Sequence, residues 1–307
     1  VVDFRRSEVI HPKKLVFVCG GKSNGGGLLP TSLREALLGH VTENGRQNQL
    51  GDSEVILAET AMNALDQSAF TNLLALEEFI AAVVDAILLI VESPGSMCEL
   101  GAFVKTSEIR EKLIVVMPSD YINDASFIKS GAIRYLKENH SNPQVYGYDW
   151  GHDENGKLTV PLYTLKKMAV EIPAAMLSVY RAHEKEAFDE HARGHIIYLT
   201  LSFCHLLRGA KLLDLKHCFA SAGIQVTETV IRQCLDTLII CKLLKPVTHG
   251  KLIYFVAQVA RVPLELAWKP GTPNADRDTL RWIGRIKTAI AREDSDRLEI
   301  FRRHNVA

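Results

Sequence analysis

The chain has 307 residues, is 47% hydrophobic and 23% charged, and balances 36 Lys+Arg against 36 Asp+Glu. This composition excludes a mostly disordered chain and a collagen-like or coiled-coil rod. At about 150 residues per domain it predicts two domains, each large enough to bury its own core.

The zero net charge hides an asymmetry. Residues 1–192 hold 18 Lys+Arg against 26 Asp+Glu, a net of −8, and residues 193–307 hold 18 against 10, a net of +8. Such a split fits an acidic domain joined to a module that meets nucleic acid; two solvated surfaces of unequal sign account for it equally well. The six cysteines form no CxxC pair, and most sit in apolar runs such as Val18-Cys19 and Phe203-Cys204. They read as buried, reduced thiols of a cytoplasmic protein rather than as a disulfide framework or a zinc site. The N-terminus lacks a basic-then-apolar signal segment. The longest apolar stretch, residues 79–91, is too short for a bilayer and contains Asp85, so no membrane partner is expected. The chain begins at Val1, and an initiator Met or more is expected to precede it.

In chain order, Leu15-Val-Phe-Val-Cys19 is predicted as a buried parallel strand that ends in the turn Gly20-Gly21, with residues 22–27 continuing the loop. A helix with an N-cap is expected over residues 30–38. A second strand is expected at 55–58 and a helix at 72–84. A third strand follows at 86–91, then a turn at 92–96, a helix from 98 to 106 and a fourth strand at 113–117. Strand and helix alternate, which predicts a parallel α/β sheet. Residues 138–163 are turn-rich, with a candidate hairpin turn at 153–157. Residues 162–186 form a long helical pattern, read as the end of the first domain and a bridge to the second. Helices then follow at 195–207, 214–222 and 227–244, with strand, tight turn and strand at 246–256. Three helices and a β-hairpin make the winged helix-turn-helix pattern. The expected divisions are 1–165, a helical bridge at 166–192, a winged helix-turn-helix at 193–262, and a linker with a charged C-terminal helix at 263–307.

Two loops follow two of the parallel strands and therefore lie at the sheet edge where open α/β folds bind ligands. The first starts at Gly20-Gly21, whose backbone N–H groups can approach a phosphate or a ribose. It matches neither GxxxxGK[ST] nor GxGxxG in clean form. In the second, Pro94-Gly95 turns the chain, Ser96 is placed to cap the next helix, and Glu99 falls in that helix's first turn, facing the crevice. The helix dipole would keep a carboxylate there anionic. An anionic Glu suits attack on an oxocarbenium-like sugar centre; a capping Glu that serves only the helix start is the alternative.

Residues 85–103, Asp-Ala-Ile-Leu-Leu-Ile-Val-Glu-Ser-Pro-Gly-Ser-Met-Cys-Glu-Leu-Gly-Ala-Phe, resemble the signature of nucleoside 2-deoxyribosyltransferase-like proteins. In that family the Glu of a Glu-Leu-Gly step is the nucleophile that takes the sugar. More closely, the chain resembles the effector (toxin) proteins of bacterial retrons, which join such a domain to a C-terminal winged-helix DNA-binding domain. The pieces that carry this likeness are residues 17–21, Leu76-Glu77, residues 92–103 and residues 126–134. The resemblance implies a flavodoxin-like parallel sheet with Glu99 as the catalytic carboxylate and Glu92 nearby in the sugar pocket. Glu77 falls near a position where transferases hold an acidic residue against the base. Gly20, Gly21, Ser93, Pro94, Gly95 and Ser96 would line the substrate site. Ser93 stands six residues before Glu99, where the transferase pattern has Asp. The implied activity is cleavage of the N-glycosidic bond of NAD or a purine nucleotide, which is the substrate, with no separate cofactor. The implied partners are the retron's reverse transcriptase and its branched RNA–DNA product (msDNA), in a homo-oligomer or a larger retron assembly that keeps the toxin inactive until phage attack. The alternatives are a nucleotide-sensing DNA-binding regulator without catalysis and a deoxyribosyltransferase of nucleoside salvage.

Asp85 reads as a structural residue at a strand start, and Ser126, Lys129 and Arg134 as phosphate contacts or a solvated helix face. The histidines show no HExxH; His191 and His195 lie four apart but lack an evident third ligand, so no metal is expected. Lys211, Lys216, Arg232, Lys242, Lys245 and Lys251 populate the winged-helix region and are candidate phosphate contacts. The expected recognition helix is apolar at 238–241, with only Arg232 and Gln233 as base readers, which favours backbone or protein contact over sequence readout.

Overall fold

A computed structural model describes residues 2–21, 30–43, 53–155, 157–180, 185–274 and 277–304. The first half of the described chain runs β1 (Val2–Ile10), β2 (Leu15–Cys19), α1 (Leu33–Glu43), β3 (Glu54–Leu57), α2 (Ala58–Ala64), α3 (Leu73–Val83), β4 (Ala86–Ile90) and α4 (Pro94–Phe103). It continues with α5 (Ser107–Arg110), β5 (Leu113–Pro118), α6 (Ser119–Asn123), α7 (Arg134–Asn139), β6 (Gln144–Tyr148), β7 (Gly151–His152), β8 (Leu158–Thr159) and α8 (Leu162–Tyr180). The remainder is β9 (Lys185–Ala187), α9 (Arg193–Leu206), α10 (Leu212–Ala222), α11 (Glu228–Ile240), β10 (Leu244–His249), β11 (Leu252–Ala257), β12 (Leu264–Trp268), α12 (Thr279–Glu293) and α13 (Ser295–His304).

The chain divides into two compact units that interleave in sequence. One gathers Lys14–Glu59 and Val84–His183; the other gathers Val1–Lys13, Thr60–Val83 and Glu184–Ala307. The continuous division expected near residue 165 therefore does not describe the molecule. The reason is pairing at long range: β1 is antiparallel to both β12 and β9, so the first residues join the C-terminal unit.

The first unit is built on a five-stranded sheet in the order β3-β2-β4-β5-β6, with every neighbouring pair parallel. Strands β2 and β4 are buried at every residue, as expected of apolar runs covered on both faces. The pleat sends Val16, Val18, Leu88, Ile90, Ile114 and Val116 to one face, where Leu33 and Leu37 of α1 and Met168, Ile172 and Met176 of α8 cover them. Residues 162–180, expected to end the first domain and bridge to the second, form a core helix of this unit. The turn-rich segment 138–163 conceals the edge strand β6, and the hairpin expected at 153–157 is present as β7 and β8.

The second unit holds the sheet β12-β1-β9 and the helices α9, α10 and α11, followed by the hairpin of β10 and β11. The hairpin pairs Leu244 with Ala257 through His249 with Leu252, and Gly250 (φ 60°) makes its turn. Phe255 also bridges to Ala210, between α9 and α10. Helix α11 stops at Ile240, short of the expected 244. Lys242 takes a left-handed conformation (φ 56°), and the Leu243 and Lys242 amides donate back to Leu238 and Ile239. Gly194 opens α9 because a Cβ there would lie 2.4 Å from the Ala82 carbonyl oxygen. No helix among the described residues is long and apolar enough to cross a membrane.

Candidate active site

The site is assembled where β2 and β4 end. Glu92 follows β4, and its carboxylate accepts three backbone N–H groups: Gly21 at 2.9 Å, Leu33 at 2.6 Å and Arg34 at 3.2 Å. It thereby ties the turn after β2 to the N-terminus of α1, the place where such geometry otherwise attracts a phosphate. The Gly21 amide expected to meet substrate is occupied by Glu92. The glycines are required there for another reason: a Cβ on Gly21 would lie 2.9 Å from Glu92 Cδ, and one on Gly20 3.1 Å from Glu92 Oε1. Residues 22–27, the rest of the expected glycine loop, lie outside the described residues.

Helix α4 starts at Pro94, earlier than expected, and its N-cap is Ser93 rather than Ser96. The two serines cap reciprocally. Ser93 Oγ accepts from the Ser96 amide at 3.2 Å, and Ser96 Oγ accepts from the amides of Ser93 at 2.9 Å and Glu92 at 3.0 Å. Both hydroxyls expected at the substrate site thus brace the helix start, whereas Pro94 and Gly95 are exposed there.

With the helix starting at Pro94, Glu99 falls in its second turn, beyond the reach of the N-terminal dipole that was expected to keep it anionic. Burial instead holds the Glu99 carboxyl above the usual carboxylate range; Arg34 opposes this and Glu59 adds to it. Glu99 Oε2 is buried without a hydrogen-bond partner among the described residues. The Arg34 side chain is itself 1% exposed and grips Glu59 with both terminal nitrogens, Nη1 to Oε2 at 2.8 Å and Nη2 to Oε1. Sequence reasoning passed over Arg34 and Glu59. The available signal was Arg34 itself, a guanidinium set between Leu33 and Leu37 on the covered face of α1.

The other expected residues are distributed differently. Glu77 is buried on α3, which belongs to the other unit. Asp85 is fully buried and structural, accepting the Leu15 amide at 2.8 Å, with Lys14 Nζ at 3.5 Å. Ser126 Oγ accepts the Lys129 amide at 3.2 Å, and Arg134 pairs with Glu138 at 2.8 Å on a helix face. A cavity of about 490 Å³ beside α4, lined by Gly101, Lys105, Phe127 and Tyr135 among others, includes neither Glu92 nor Glu99. No group of three or more His, Cys, Asp or Glu placed to hold a metal occurs among the described residues.

In the second unit the candidate nucleic-acid contacts fall into two sets. Lys211 pairs with Asp294 at 2.9 Å, while Lys216 and Arg232 both pair with Glu228 at 2.8 Å. Lys242 terminates α11. Lys245 and Lys251, on the hairpin, are exposed and carry no ion pair among the described residues. Helix α11 is also held by residue 69: the Ala69 amide donates to Asp236 at 2.7 Å, and Gln233 donates to the Ala69 carbonyl at 3.5 Å.

An α/β protein with two glutamates beyond the end of a central parallel strand, whose chain also forms a helical unit with a β-hairpin, is the class these features define. The model of the family described as STM3845 retron effector protein matches residues 30–247, well over half of the chain, and the chain belongs to that family. It is also similar to an Escherichia coli protein of retron Ec73, provisionally named a ribosyltransferase/DNA-binding protein, with 34% identity over 129 residues, 41% of this chain and 39% of that protein. The counterpart of Escherichia coli retron Ec86, with the same provisional name, is 43% identical over 70 residues, 23% of each chain. These matches span well under half the length of either relative.

Proposed function

We propose that the chain is the toxin effector of a retron anti-phage defence system, and that its sheet unit cleaves the N-glycosidic bond of NAD or a purine nucleotide with Glu99 as the reacting carboxylate. One observation carries the reading. Glu92, the other acid of the crevice, has its carboxylate engaged by backbone amides, whereas Glu99 presents a buried oxygen with no partner among the described residues. In strand terms the sheet order is second-first-third-fourth-fifth, the flavodoxin-like order. Its reversal falls between β2 and β4, the strands followed by Gly20-Gly21 and by Glu92 to Glu99, and open α/β sheets bind ligands at such a point.

The chemistry follows from the groups present. In its ionised form Glu99 bonds through a carboxylate oxygen to the anomeric carbon as the C–N bond breaks. The bond's electron pair leaves with the base; nicotinamide departs neutral, and a purine takes up a proton from solvent. Water then attacks the same carbon, freeing the Glu99 carboxylate and a proton and leaving a hydroxyl on the sugar. Glu92 positions the crevice by fixing the start of α1 against the turn after β2, and the Ser93–Ser96 cap fixes the helix that carries Glu99.

The second unit gives this enzyme its partners. Three helices, a bridge between the first two and a terminal hairpin follow the winged-helix order, and both curated relatives are named for DNA binding. The reverse transcriptase and msDNA would hold the cytoplasmic enzyme inactive in a larger assembly. The test is chromatography of free base from NAD, ATP, dATP and deoxynucleosides, with the full chain assayed inside and outside that complex. Base released by the freed chain supports the reading. Tight nucleotide binding without release in either state supports a sensor, and release only when an acceptor base is supplied supports a transferase.

A further inference from the structure

We infer that Glu59 is a positioning residue: it holds the Arg34 guanidinium away from Glu99 and so leaves Glu99 Oε2 open to a sugar carbon. This deepens the reading of Glu99 given above and rests on it for its catalytic meaning, though not for its electrostatic content.

A guanidinium as buried as that of Arg34 must have a carboxylate partner. The charge of Arg34 acts on Glu99 as well as on its partner Glu59. The backbone end of Arg34 is fixed, because its amide is bound by Glu92. Which acid receives the fork is therefore decided by the side chains. Glu59 takes both terminal nitrogens, one to each of its oxygens. A two-point pair of this kind takes two of the five guanidinium N–H donors and fixes the plane of the fork, so Glu59 sets where the remaining three point. Glu99 Oε2 is accordingly buried with no donor on it among the described residues. The arrangement suits a nucleophile. A carboxylate clamped by arginine offers its lone pairs to N–H groups and reacts poorly, and one stripped of donors keeps them for carbon. Glu59 sits at the start of α2 and is partly exposed.

The test uses the full chain carrying Glu59→Gln, Arg34→Gln, or both, each first shown to be folded by its thermal transition. The double variant removes both halves of the buried pair and leaves no orphaned charge. The first readout needs no substrate: the ¹³C carboxyl signal of Glu99 followed against pH. In Glu59→Gln the freed guanidinium turns to Glu99, and its midpoint falls below that of the parent chain; in the double variant it rises again. The second readout is base release. Glu59→Gln is expected to lose about 10-fold or more in kcat with KM within about 2-fold of the parent, and the double variant to recover most of the loss. A purely structural Glu59 would leave the double variant no better than the single one. A Glu99 midpoint unmoved in folded Glu59→Gln overturns the inference, as does a double variant no faster than Glu59→Gln. If Glu99→Gln releases base as fast as the parent, the reading of Glu99 fails instead, and the titration still decides the role of Glu59.

Discussion

Glu92 and Glu99 are seven residues apart and chemically identical, yet their surroundings give them opposite work. Three backbone donors make Glu92 a strut. Replacing it by Ala orphans those amides, and the sheet unit should lose about 2–4 kcal/mol, read as a lower urea midpoint at unchanged slope. Glu99 is the reverse case. Its carboxyl lies higher in the folded state than the ordinary 4.5, so ionisation costs stability, and that cost is fully present above the folded value and absent below 4.5. Glu99→Gln should therefore unfold at a higher temperature than the parent at pH 7–8, with the difference closing as the pH falls toward 4.5. The acidic limb of activity should likewise lie above that of an unperturbed Glu, because the anion is the reacting form. Glu99 as a candidate and the presence of its helix were legible in sequence; the start at Pro94 was not, because Pro94-Gly95 read as a turn. Its environment was not, because burial and the Arg34–Glu59 pair come from α1 and α2, remote in the chain.

At the scale of elements, runs that are apolar at every position declared themselves. Strands β2, β4 and β5 are covered on both faces, and no periodicity was needed to find them. Strand β1 alternates charged with apolar residues, and its partner β12 begins at Leu264, so nothing local marks it. Strand β6 lies among Asn, Pro and Gly, which outweigh its short Val145-Tyr146 core in any local reading. The three helices and the hairpin of the second unit were legible as an order of elements, but not the fact that residue 69 holds α11 through Gln233 and Asp236. Arg232 and Lys216 are already paired to Glu228, whereas Lys245 and Lys251 of the hairpin are exposed and carry no ion pair among the described residues. Lys245→Glu together with Lys251→Glu should weaken binding of a stem-loop duplex by about 10-fold or more and flatten its salt dependence by about two phosphate contacts. Arg232→Ala should change it by less than about 3-fold; filter binding at several salt concentrations checks both.

At the scale of the whole molecule, the two units are continuous in space but not in sequence, and no composition shift could reveal that β1 and α3 belong with the C-terminal half. The charge split at residue 192 pointed to two parts and misplaced their boundary for this reason. One consequence is direct. A fragment ending at residue 165 lacks Met168, Ile172 and Met176, which close the core over the parallel sheet, and it leaves β1 without β9 and β12. It should show no cooperative thermal transition by circular dichroism, whereas the full chain should. The most direct test of Glu99 is the rate of base release by the freed full chain compared with its Glu99→Gln counterpart, on the same NAD and purine nucleotide substrates. A reacting Glu99 requires a loss of at least ~10³-fold in a variant that folds at least as stably as the parent; equal rates in the two proteins would rule that role out.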